Sequence, residues 1–121
     1  MLITVTGRRS GRVYTIPVGY QKDGDVITVL ASEAPSKHWW RNFQTPSEVG
    51  VRLRGKDLTG AAALLAPDSD EFRAQSERTL RRLPFMAKVF GVVDYDRRRG
   101  LTREQVATLG KSIAIVQIRV G

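Results

Sequence analysis

The chain has 121 residues, 41% of them hydrophobic, and a net charge of +8 from 20 basic and 12 acidic residues, which suits one folded domain over residues 1–121. It has no cysteine and a single histidine, which excludes disulfides, thiolate catalysis, cysteine-bound zinc and histidine-rich metal sites, so no metal is expected. No run approaches the ~20 apolar residues of a membrane span, and the start lacks the apolar core of a signal peptide, so a cytoplasmic protein is expected.

Leu2–Thr6 alternates like a strand, and so abrupt a start leads to the expectation that a preceding segment is missing. Gly7 and Gly11 allow a tight strand-to-strand turn. Around them Arg8, Arg9, Ser10 and Arg12 offer guanidinium forks and a hydroxyl, with backbone N–H groups, to one anionic group. The same composition also suits an ordinary solvated hairpin. Val13–Tyr20 follows as a strand interrupted by Pro17, which implies an edge or a bulge. Lys22-Asp23-Gly24-Asp25 is a hairpin turn, and Val26–Ala31 an almost continuously apolar, buried strand.

Ser36 is placed to cap a short helix reaching Phe43, stopped by Thr45-Pro46. Val49, Val51 and Leu53 alternate with polar residues or glycine, and Gly55-Lys56-Asp57 turns that strand into another over Leu58–Leu65. Asp68 with Glu71 resembles a capping box. Beyond it Phe72, Thr79, Leu80 and Leu83 share one helical face. Pro84 breaks the helix, Phe85–Val93 is a second apolar helical segment, and Asp94–Gly100 a charged loop. Thr102 with Gln105 caps a last helix ended by Gly110, and Ser112–Val120 closes the chain as a strand. Six strands dominated by antiparallel hairpins, with helices between, predict a mainly β, α+β fold: a small barrel dressed with helices.

No nucleophile triad, paired carboxylates or nucleotide-binding loop is legible; Gly7 to Gly11 has the wrong spacing and no following helix. Asp94 and Asp96 sit among Arg97, Arg98 and Arg99, as in a solvated, salt-bridged loop. His38 could give a proton to a substrate, although a surface or packing histidine is the simpler reading. Trp39 and Phe43, four apart, suit core packing. Trp40 points towards a cleft or solvent, where a flat ring could stack, and Asn42 could bond backbone or ligand.

Taken in order, Thr6 to Arg12, Pro17, Asp23-Gly24-Asp25, Ala31-Ser32, Trp39 with Asn42-Phe43, and Pro46 resemble the deazaflavin-dependent nitroreductase and quinone reductase family. The likeness covers roughly residues 3–65. It implies a six-stranded antiparallel split β-barrel similar to FMN-binding proteins and flavin reductases. It further implies binding of coenzyme F-420, an 8-hydroxy-5-deazaflavin. Its anionic tail would lie against Arg8, Arg9, Ser10, Gly11 and Arg12. The ring would lie near Pro17, Val18, Ala31 and Ser32, beside Lys37, Trp40 and Asn42. The implied reaction is hydride transfer from the reduced coenzyme to a quinone, nitroaromatic or other electron-poor molecule, the chemistry belonging to the cofactor. Trp40, Phe85 and Tyr95 are the candidates for a substrate pocket. Three features depart from the family pattern: Glu33-Ala34-Pro35 replaces a glycine loop, Tyr14 stands where a basic residue is usual, and no N-terminal helix precedes the barrel.

Two other functions stay open at this level. One keeps the barrel and takes FMN instead; the other is a non-catalytic binder of an apolar ligand or of the coenzyme. The charge favours acidic partners, and peripheral contact with a membrane is kept among them. A specific nucleic-acid role lacks both a module and an aromatic-basic strand platform. Monomer and homodimer are equally open.

Overall fold

The computed structural model describes residues 1–6, 10–31 and 38–120. These fall into two compact units, one over 1–31, 38–64 and 115–120, the other over 65–114.

The first unit is built on strands β1 (Leu2–Thr6), β2 (Val13–Pro17), β3 (Gln21–Asp23), β4 (Val26–Ala31), β5 (Ser47–Leu53), β6 (Lys56–Leu64) and β7 (Ala114–Val120). They form one seven-stranded sheet in the order β2-β1-β5-β6-β7-β4-β3. The antiparallel registers run from Leu2↔Pro17 to Thr6↔Val13, from Ser47↔Ala62 to Leu53↔Lys56, and from Gly60↔Val120 to Leu64↔Val116.

Chain length alone forces this sheet to curl. Strands β2 and β3 are its opposite edges, yet only Val18, Gly19 and Tyr20 separate them. In a flat sheet six strand spacings would put the edges about 29 Å apart, whereas four residue steps reach about 14 Å at most. The core agrees: Ile3 and Val5 of β1 share a buried cluster with Ile27 and Val29 of β4, strands that are not neighbours in the sheet. Val49, Val51, Ile118, Val120 and Phe43 also belong to it. The outcome is an antiparallel half-barrel, mainly β with some helix.

The predicted six strands are thus corrected to seven. The strand expected over Val13–Tyr20 stops at Pro17, opposite Leu2; Val18 N still donates to Met1 O at 2.9 Å, so the pairing runs on as far as Met1. Pairing with β4 then restarts at Gln21↔Thr28. Pro17 does lie in an edge strand, as its chemistry requires. At the β5–β6 hairpin, Arg54 (φ 51°) and Gly55 (φ 79°) form a two-residue turn, one position earlier than expected.

Trp39–Phe43 is a 3-10 helix preceded by His38, whose side chain caps nothing. Ser36, the expected cap, lies outside the described residues. The rings of Trp39 and Phe43 meet edge to face at 6.3 Å, in the core-packing role expected of that pair.

The second unit carries α1 (Asp70–Arg82), α2 (Met86–Val89) and α3 (Arg103–Ser112). Ser69, not Asp68, caps α1: its hydroxyl accepts from Phe72 N at 3.1 Å. Phe72, Thr79 and Leu80 are buried as the periodicity predicts, but Leu83 lies beyond the last helical residue and is exposed. The segment Phe85–Val93 holds only the single turn α2. The Thr102–Gln105 capping box is present.

Gly110 does not end α3. It lies inside the helix, where a Cβ would come within 3.1 Å of Pro67 Cβ, so its smallness serves close packing. The charged loop is tied as expected, with Asp96 accepting from Arg98 N at 2.9 Å and pairing with Arg99 at 3.7 Å.

Glu77 joins α1 to the segment before α3. Its Oε1 accepts from Leu101 N at 3.1 Å and pairs with Arg73 Nε at 3.7 Å, while Arg73 Nη2 donates to Leu101 O at 2.9 Å. Glu77→Ala leaves Leu101 N without its acceptor and should lower unfolding stability by about 1–2 kcal/mol. Glu77→Gln, which keeps an acceptor oxygen, should lose clearly less in the same denaturant titration.

Candidate functional site

The β1–β2 connection is set by its register. Thr6 pairs with Val13, so the connection runs over residues 7–12, and the tight turn expected there falls partly outside the described residues. Gly7, Arg8 and Arg9 lie outside the described residues. Beyond them Gly11 takes φ 68°, with nothing among the described residues within 4 Å of where a Cβ would sit. Ser10 Oγ accepts from Arg12 N at 3.1 Å, which folds the loop back on itself. Arg12 is exposed, and its guanidinium has no ion-pair partner among the described residues. A left-handed glycine beside a cation that has no ion pair among the described residues suits an anionic ligand.

Side chains alternate along β2, so Tyr14 and Ile16 face inward and pack on the core, as Val18 does just beyond the strand. Val13 points out and is 63% exposed. Asn42 Nδ2 donates to Tyr14 Oη at 3.2 Å and to Trp39 O at 2.9 Å, fastening the 3-10 helix to β2. Trp40 packs against the same core from that helix, and the Arg41 guanidinium lies 5.4 Å from its ring centroid, within range of a cation–π contact.

Registers place the other expected residues. Thr6, Val13 and Ser47 share one end of the sheet, while Leu2, Pro17 and Leu53 share the other. Val120 N donates to Asp25 O, so β4 begins where β7 finishes, and buried Ala31 lies towards the first end. Ser10, Gly11, Arg12 and Ala31 are therefore gathered at one end of the sheet. Pro17 and Val18 lie at the other, about 13–17 Å along β2. A ligand touching both groups has to be elongated. Ser32 and Lys37 lie outside the described residues.

The three substrate-pocket candidates divide between the units. Trp40 belongs to the first, whereas Phe85 and Tyr95 belong to the second. Phe85 is 65% exposed, and the Tyr95 hydroxyl is buried with no hydrogen-bond partner among the described residues. Two clefts lie elsewhere. One of about 460 Å³ is lined by Pro67, Ser69, Arg73, Arg103 and Gly110 of the second unit. The other, of about 420 Å³, lies along Ser47, Gly60 and Arg119 of the first. Among the described residues no cluster of metal-ligating side chains occurs.

Sequence reasoning missed Tyr14 and Arg41 as parts of this site. Tyr14 stood out only as a departure from a basic pattern. Its inward position follows from strand alternation, which was available as a signal; its bond to Asn42 depends on the tertiary fold.

Comparison with known proteins gives one structural likeness that agrees with this architecture. No curated protein matches the sequence. Among solved structures, the FAD- and haem-binding protein from Mycobacterium smegmatis is similar, with a TM-score of 0.53, 17% identity, and coverage of 99% of this chain and 60% of that one. The flavocytochrome Anf3 from Azotobacter vinelandii aligns with a TM-score of 0.48 and 12% identity, over 98% of this chain and 57% of that one. At such identities the first likeness speaks for the fold alone, and this chain spans about three fifths of either neighbour's length. A family model, that of F420H(2)-dependent quinone reductase, matches residues 1–87. That span holds the basic loop, strands β1 to β6 and the 3-10 helix. The chain belongs to the family of quinone reductases that depend on reduced coenzyme F-420.

Proposed function

We propose that this protein binds coenzyme F-420 in the half-barrel and reduces a quinone, a nitroaromatic or a similar flat, electron-poor molecule. The observation that carries this reading is the cation at the hairpin tip: Arg12, exposed and without an ion pair among the described residues, beside left-handed Gly11. The described residues fit an elongated anion with a flat ring. When bound, the coenzyme supplies the hydride, and the protein supplies position and electrostatics.

Arg8, Arg9, Ser10, Gly11 and Arg12 hold the anionic tail in this reading. Pro17, Val18 and Ser32, with Lys37, Trp40 and Asn42, border the ring in this reading, while Ala31, at the loop end of the sheet, meets the coenzyme nearer its tail. Asn42 acts partly through Tyr14, since their hydrogen bond keeps the Trp40 helix against β2. Trp40 and Tyr95 remain the candidates for contact with substrate, and Phe85 joins them only if substrate reaches an exposed face of α2. The single domain over 1–121, a cytoplasmic location and the choice between monomer and homodimer belong to this proposal as well. No helix among the described residues is long and apolar enough to cross a membrane.

Titrating the purified protein with oxidised coenzyme F-420 and, separately, with FMN tests the reading through quenching of Trp39 and Trp40 fluorescence. Micromolar or tighter binding of the deazaflavin, at least about tenfold tighter than FMN, is expected (a difference of 1.4 kcal/mol). The reverse preference would assign the barrel to FMN. Binding of neither would leave a binder of an apolar ligand as the better account.

A further inference from the structure

We propose that the α2 turn of the second unit is a docking surface for anionic lipid, so that the protein works at a membrane face without crossing it. This inference does not rest on the cofactor. It starts from an inversion of ordinary burial. Phe85 is 65% exposed, Val89 61% and Val93 75%, and Leu83 at 36% stands just before them. Scattered apolar side chains on a surface need no explanation, but a group within one short segment does.

The backbone explains why these residues face outward. Met86 N bonds to Leu83 O, Phe90 N to Met86 O and Val92 N to Ala87 O, which winds residues 83–92 into a compact turn. Ala87, Phe90 and Val92 point inward and are 6%, 4% and 6% exposed. Phe85 and Val89, four apart, share the opposite face with Lys88. The inner face already has its core, so the outer face is apolar for another reason.

Charge identifies the occupant. Arg82 and Lys88, beside Leu83 and Val89 in the chain, are exposed and make no ion pair among the described residues, and Asp94 is the sole acid of residues 82–94. Apolar side chains rimmed by unpaired cations match an anionic bilayer surface, where the rings and branches enter the acyl boundary and the cations meet headgroups. A second copy of this chain fits worse. Self-pairing of the patch would bring Arg82 and Lys88 towards their own copies in a molecule of net charge +8.

Sedimentation with vesicles tests this directly, using phosphatidylcholine alone and phosphatidylcholine mixed equally with phosphatidylglycerol. The whole chain should sediment with the mixed vesicles and much less with the neutral ones, and high salt should weaken the binding. Phe85→Ser with Val89→Ser should weaken it by about tenfold or more, since two buried apolar side chains are lost. Lys88→Glu should weaken binding to the anionic vesicles only. Circular dichroism and thermal melting should match the parent, because the replaced side chains are exposed; Val89→Ser alone serves if the double variant loses its fold. Absence of sedimentation would overturn the proposal. So would sedimentation that the apolar substitutions leave unchanged, since that is plain attraction of a basic protein. A concentration-dependent dimer lost on Phe85→Ser, without vesicle binding, would reassign the patch to a second copy.

Discussion

Replacing Arg9 and Arg12 together with alanine should weaken binding of coenzyme F-420 by at least about a hundredfold, while a deazaflavin analogue without the tail should lose less than about threefold. Charge-assisted hydrogen bonds are worth about 1.5–3 kcal/mol each, and every 1.4 kcal/mol is roughly one decade in affinity. The low end applies here because Arg12 is exposed and solvent screens its field. Two such contacts still give about two decades. Arg12→Lys separates charge from geometry: it keeps the cation but loses the fork and should fall between parent and alanine. Isothermal titration at two salt concentrations reads both effects. Equal losses for the tailed and tail-less ligands would mean that the loop shapes the barrel rather than gripping an anion.

Adding one methyl group at Gly60 should disrupt the half-barrel more than any surface change. A Cβ there would lie 2.8 Å from Arg119 O, 2.8 Å from Ile118 Cγ2 and 3.0 Å from Val120 Cγ1. One of these is backbone and cannot rotate away, so β6 or β7 has to move where Gly60 pairs with Val120. The adjacent Ile118 and Val120 belong to the buried cluster, which is packed too tightly to absorb the shift. Gly60→Ala is expected to cost about 3 kcal/mol, a fall in Tm of about 10 °C or more. Gly50 is the control, because a Cβ there meets only Thr4 Cβ at 3.7 Å. Gly50→Ala should change the melting temperature little; similar losses at both positions would refute the close-approach account.

These two glycines show where sequence reading stops. Both fall in strands, and no local pattern separates Gly60 from Gly50, because the difference is what lies across the sheet. Gly110 is similar: a glycine near the end of a helix reads as a terminator, yet Pro67 packs over it and the helix continues. Local hydrogen bonds were more legible. Thr102 and Gln105 cap α3 as their spacing predicts, since a capping box closes within four residues. At α1 the cap moved by one residue, because Ser69 and Asp68 are both good caps and only the backbone's entry angle selects between them.

By itself the sequence determined the mainly β character, because alternating apolar residues permit few other burial patterns. It also determined the basic loop between the first two strands, whose arginines and glycines are a local matter of composition, and the family likeness that rests on them. The tertiary structure decided the seventh strand, Gln21–Asp23, which carries no apolar signal and is recognisable only by its pairing with β4. Closure of the sheet, the Tyr14–Asn42 bond and the outward turn of Phe85 and Val89 were likewise decided there. The physical reason is range. Propensity, capping and charge act over a few residues, whereas curvature, close approach and exposure depend on segments that sequence leaves far apart.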